Sequence, residues 1–189
     1  MLPFNRWAFK EWAAICAALA AGRQSLILRK GGLHEGRDGF RVDHGEFWLL
    51  PTHFHQTGDQ LAATERLYEP EAPPQPGTIE IGCYATVDAV CEIHDAAALP
   101  QLSGLHGWSE QTVLERFHYR QPGLFVLLVR VYRQADPWTM PDSPRIAGCR
   151  SWVDLERELA TDRLQPVLGA ADHQARMEIV RDRLAMGHG

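Results

Sequence analysis

Residues 124–133 read LFVLLVRVYR, an apolar run carrying β-branched and aromatic side chains. It is the strongest strand signal in the chain, because such a run is most stable when buried in a sheet. Pro122 and Gly123 precede it, and ADPWTMPDSP (135–144), read as a loop, follows. A second long β-type run, TIEIGCYATVDAVCEI (78–93), is expected to bend or bulge near Gly82. Between the two runs, 95–103 reads as a short helix. Ser109 then caps EQTVLERFHYRQ, which Pro122-Gly123 stops.

The rest of the chain is read the same way. Asn5 is taken as the cap of a helix running to about Ala21, with Ala8, Trp12, Ile15 and Leu19 on one face and Gly22 as its stop. SLILRKG (25–31) is a strand. FRVDHGEFWLLPT (40–52) is a hairpin turning at His44-Gly45, with its second strand ended by Pro51. A short helix is expected over 57–67, an exposed acidic loop over 69–77 and a short strand at RIAGCR (145–150). Ser151 opens a helix over WVDLEREL, and a last amphipathic helix fills 172–186. Helices inserted between five or six strands, without strict alternation, predict α+β: a small, strongly bent mixed β-barrel with helices at its ends. The expected organisation is one domain over 1–160 and a helical extension, 161–189, packed on it.

Composition narrows the function. Hydrophobic content of 45% and charged content of 23% are those of an ordinary globule, and no apolar stretch reads as a signal peptide or a membrane span. Four cysteines lack CxxC spacing, so the expectation is a reduced, cytoplasmic protein without disulfides. A net charge of −5 argues against broad, nonspecific nucleic-acid binding. The charge is uneven: 1–56 holds 7 basic and 5 acidic residues and 96–152 holds 6 and 4, whereas 57–95 holds 1 and 8. Only Lys10 and Lys30 among the 19 cations are lysines. Arginine forks onto phosphate and stacks on rings, although a high-GC genome would favour it as well.

Three clusters carry the candidate chemistry. RKGGLHEG (29–36) sets Lys30 before a Gly-Gly step and His34-Glu35 after it. It is either an anion-binding turn with an acid and a base or a solvated hairpin turn. PTHFHQ (51–56) puts His53 and His55 on one face of a strand. With Glu35, Asp43 or His94 they would make a metal site, but no spacing fixes a third ligand, so no metal and no cofactor is expected. Thr52, His53, His55 and Gln56 suit a polar rim that reads the edge of a small planar ligand. ERFHYRQPG places Arg116 and Arg120 one helical turn apart beside His118 and Tyr119, to hold an anion or to pair with surface acids. Of six tryptophans, Trp12, Trp48 and Trp152 read as core. Trp108 and Trp138, in loop-like segments, are the rings that would face a ligand.

The phosphate-binding GxxxxGK[ST] loop, the Nudix helix, GxSxG, HExxH and the kinase set are all absent. The blocks KEW (10–12), LRKGGLHE (28–35), FWLLPTHFHQ (47–56), ERFHYRQPGLFVLLVRVYR (115–133) and GCRSW (148–152), in this order, resemble the bacterial family known as domain of unknown function 1802, over about 5–160. That resemblance implies no activity. The pattern from IGCYATVDAV to LFVLLVRVYRQADP is similar to PUA/ASCH/EVE-like barrels, which implies RNA or modified-base binding.

The first expectation is therefore binding of RNA, single-stranded DNA or a nucleotide. Lys30, His34, Glu35, Thr52, His53, His55, Gln56, Arg116, Tyr119 and Arg120 would form the pocket, with Tyr119 or Trp108 stacking a base. The alternatives are a hydrolase or nuclease using Lys30, Glu35 and His53 or His55 as catalytic groups, and a protein-interaction module. Whether the chain is an enzyme, and its oligomeric state, stay open.

Overall fold

The structure, a computed structural model, describes residues 1–30, 42–53, 58–66, 75–143, 146 and 150–186. Among these the chain forms β1 (Phe4–Trp12), α1 (Ala13–Ala20), β2 (Leu26–Arg29), β3 (Glu46–Thr52) and α2 (Ala63–Arg66). β4 (Thr78–Ile93), α3 (Glu110–His118), β5 (Leu124–Pro141), β6 (Trp152–Ala160), β7 (Gln165–Pro166) and α4 (Ala170–Met186) follow. 3-10 turns occupy Gly58–Gln60 and Ala96–Leu102.

One mixed sheet of seven strands runs β2-β5-β4-β3-β1-β6, with β7 on β5. β1 and β3 are parallel and the other pairs antiparallel. The architecture is α+β as expected, and the sheet is bent, but it does not close into a barrel. No ladder joins β2 to β6 among the described residues. β2 is only four residues long, and its last side chain bridges the gap instead: Arg29 Nη2 donates to Ser151 Oγ at 2.7 Å.

β4 and β5 lie where their apolar runs place them, and the register shifts between Ile81 and Cys83, at the expected Gly82. β5 continues to Pro141, through the segment read as a loop, because Thr78–Ile81 of β4 offers it a partner from Trp138 to Pro141. Two segments read as helices are strands. Phe4–Trp12 pairs on both sides, with β3 and β6, and helix begins only at Ala13. Asn5 caps nothing: its Nδ2 donates to the Glu46 carbonyl and to Tyr84 Oη, both at 2.9 Å. In Trp152–Ala160, Val153, Leu155 and Leu159 are buried, and a left-handed Glu156 (φ 55°) interrupts the alternation, which makes the sequence mimic helical spacing. Pro51 does not end β3. It sits beyond the last β4 pair, on an edge where its missing N–H costs nothing. Residues 42–44 form no strand, and the other arm of the expected hairpin, like most of 145–150 and 69–74, lies outside the described residues.

Two cores result. One, between the sheet and the helices, gathers Ile15 and Leu19 of α1, Phe117 of α3, Met177 and Val180 of α4 and the apolar side of β5. The other, in the curl of the sheet, gathers Trp48, Leu50, Ile81, Tyr84 and Leu159. No helix among the described residues is long and apolar enough to cross a membrane.

Candidate functional site

β1 hands over to α1 at Trp12, whose extended backbone (φ −60°, ψ 142°) starts the helix without a side-chain cap. The turn of direction leaves Glu11 and Trp12 at the end of the sheet. Glu11 is 1% exposed. Its Oε1 accepts the Trp12 amide at 2.8 Å, while Oε2 has no hydrogen bond. A buried carboxylate needs a cation, and the nearest is Arg29 at the end of β2, with Nη1 3.7 Å from Oε2. The Arg29 guanidinium also lies 4.7 Å from the centre of the Phe9 ring, and its Nε is buried without a partner.

A second cation shares this carboxylate. The Arg116 guanidinium, from the last turn of α3, lies 3.5 Å from the centre of the Trp108 ring and 5.7 Å from that of Trp12; the two indoles meet edge to face at 4.6 Å. Desolvated cation–π stacking of this kind contributes up to about 2 kcal/mol. It does not replace a counter-ion. Burial pushes the Arg116 pKa down to about 10, with Glu11 opposing and Arg29 adding to the fall. Among the described residues no carboxylate pairs directly with it. Among the described residues, two guanidiniums therefore share one carboxylate beside the Trp12 and Trp108 rings, a cluster with surplus positive charge.

Beside this cluster, Thr52 stands opposite Trp12 in the β1–β3 register, and His53, exposed, follows it. Ser151 is buried, its hydroxyl on Arg29 and its carbonyl accepting the Lys10 amide at 2.8 Å. Lys10 Nζ donates to the Ile146 carbonyl.

The three clusters thus meet in part. Arg29 reaches Glu11, and Thr52 and Arg116 lie beside its neighbour Trp12. His34, Glu35, His55 and Gln56 lie outside the described residues. Lys30 reaches the end of α3, where Nζ donates to the carbonyls of Phe117 (3.1 Å), Gly123 (2.8 Å) and Gln121, so all three ammonium protons are taken. Arg120 does not share a helix face with Arg116, since α3 ends at His118 and Arg120 is left-handed (φ 65°). Its guanidinium lies 5.1 Å from the centre of the Tyr119 ring, which is half exposed. Trp108, expected to face a ligand, is 1% exposed beneath Arg116, whereas Trp12, expected in the core, is only partly buried. Glu11, Arg29 and Ser151 are the site residues that residue-by-residue reading missed. A lone carboxylate at the start of an apolar stretch, WAAICAALAA, was the available signal.

The five sequence blocks named above contribute Glu11 and Trp12, Arg29, Thr52, Arg116, and Ser151 to this one place. No curated protein matches the chain significantly. Among solved structures, it is similar to the ASCH protein of Zymomonas mobilis. The crystal structure of that protein gives a TM-score of 0.42 at 12% identity, over 92% of this chain and 95% of that one. A serine-to-alanine mutant gives 0.43 at 13%, over 94% and 99%. A tyrosine-to-phenylalanine mutant gives 0.41 at 12%, over 92% and 98%. The family described as "Domain of unknown function (DUF1802)" matches residues 8–178, from β1 into α4, and the chain belongs to it.

Proposed function

We propose that Arg29 and Arg116 flank a recess that binds the phosphate of a nucleotide or of a single-stranded nucleic acid, with Trp12 as a stacking surface. The observation that carries this reading is a shortage of negative charge among the described residues: Arg29 and Arg116 share Glu11, and Arg116 rests on an indole where a carboxylate would ordinarily be. A guanidinium stacked on a ring keeps its N–H donors in its own plane, directed past the ring edge, where a phosphate accepts two at once. Partly exposed Trp12 supplies a face for a base, and Thr52 and His53 a polar rim for its edge. Tyr119, half exposed and backed by Arg120, would offer an outer ring to a neighbouring base. With a net charge of −5, the affinity comes from this local arrangement and not from the field of the whole molecule.

The test is titration of the protein into labelled single-stranded RNA and DNA at low salt. Binding in the micromolar range is expected. Arg116→Ala should weaken it by about tenfold or more, while Arg181→Ala, an exposed charge on α4, leaves it unchanged. Absence of binding at tens of micromolar, or equal affinity in Arg116→Ala with an unchanged circular dichroism spectrum, would overturn the proposal.

A further inference from the structure

A cavity of about 420 Å³ opens between the turn after α1 and the start of α3, lined by Arg23, Leu61, Ser103, His106, Trp108 and Glu110 among others. It shares only Trp108 with the arginine recess. Its rims are held from behind by α4: Arg176 Nη1 donates to the Arg23 carbonyl at 2.8 Å, and Arg183 Nη1 to the Ser103 carbonyl at 2.9 Å. Ser103 Oγ donates to Glu110 Oε1 at 3.0 Å across one corner.

The polar groups on its walls are unevenly satisfied. Gln24 is engaged within the fold, accepting from the Gly107 amide and donating to the Leu26 carbonyl, both at 2.9 Å. His106 Nδ1 accepts the Trp108 amide at 3.2 Å, so the neutral ring carries its proton on Nε2. Burial keeps the ring neutral, with a pKa down to about 4. Among the described residues that Nε2–H has no protein acceptor, and it is not a buried orphan, so it stays open to solvent or a ligand. Trp108 is 1% exposed, and its indole N–H is also without a partner. A buried donor with no acceptor is rare and asks for one. Arg23 and Glu110 offset each other, leaving a lining close to neutral.

We propose that this cavity is a second binding site. It takes a small ligand, neutral or singly negative and no larger than a nucleoside, whose carbonyl or carboxylate oxygen accepts from His106 Nε2 beside the Trp108 indole. The volume suits such a molecule, and Leu61 with the Trp108 ring gives it an apolar side. A phosphate dianion gains little here, because Glu110 lies on the rim. The site is independent of the arginine recess, and either proposal survives failure of the other.

The experiment follows the Trp108 indole N–H resonance of the full chain as uridine, acetate or inorganic phosphate is added. Uridine, acetate or both should shift it saturably, and whichever does so identifies the preferred oxygen acceptor. The shift should vanish in His106→Phe, survive in His106→Gln, which keeps an N–H donor, and survive in Arg29→Ala, which disables only the recess. No saturable shift with either probe, a shift unchanged in His106→Phe, or tighter binding of phosphate than of both would overturn the proposal. Should His106→Phe not fold, loss of the shift in His106→Gln overturns it.

Discussion

Lys30, just past β2, ties that strand to the far end of α3: its ammonium donates to the carbonyls of Gln121, Gly123 and Phe117, the last of which also accepts the Gly123 amide at 3.1 Å. Burial and this arrangement work against each other: burial lowers its pKa, and Glu92 partly restores it. Lys30→Met should therefore destabilise the fold by about 1–2 kcal/mol, read from the denaturation midpoint, since charged hydrogen bonds at a partly exposed site are worth about that much. Nucleic-acid affinity of the folded variant should change little, whereas a catalytic lysine would behave in the opposite way. His106 gives a pH prediction. Its folded pKa of about 4 lies below the ordinary 6.5, so the unfolded chain takes up the proton first as pH falls. The contribution to stability is complete above about 6.5, shrinks between 6.5 and 4, and amounts to at most about 3 kcal/mol. His44, also held down by burial, acts in the same direction. The difference between wild type and His106→Gln, measured by urea denaturation across that range, should narrow as the pH drops; a constant difference would remove His106 from the acid response.

At the level of elements, local signals worked where local physics decides. Ser109 caps α3 through Oγ on the Thr112 amide at 3.2 Å, as its position before EQTV implies. Gly22 stops α1 in a left-handed turn (φ +67°), with its amide on the Leu19 carbonyl and that of Arg23 on the Ala18 carbonyl. A Cβ there would come within 2.8 Å of Leu168 Cδ2. Gly22→Ala should cost about 1–2 kcal/mol of stability, seen as a lower melting temperature; an unchanged one would contradict this account of the turn. The signals misled where sheet partners from elsewhere in the chain decide. Phe4–Trp12 has helical spacing in its apolar residues but gains two strand neighbours, β3 and β6, separated from it by tens of residues. In β6 one left-handed residue shifts the alternation and counterfeits a helix face. Such long-range pairing leaves no trace in a local window.

For the whole molecule, the clusters that share one surface were legible in part. Arg116 and Thr52 were recognisable as polar groups at the ends of apolar elements, and both lie beside Trp12. Glu11 and Arg29 were not, because their role depends on an open, bent sheet that carries β2 toward the start of β6 and leaves one carboxylate between two arginines. The same geometry separates the Lys30 ammonium from that group, although Lys30 is the next residue in the chain. The central claim is that Arg29 and Arg116 hold one anion together, and a double-mutant cycle on single-stranded RNA affinity tests it most directly. Arg29→Ala and Arg116→Ala should each weaken binding by about tenfold or more, and the double variant should lose much less than the sum of the two effects. Strictly additive losses, or affinity that none of the three variants changes, would contradict it.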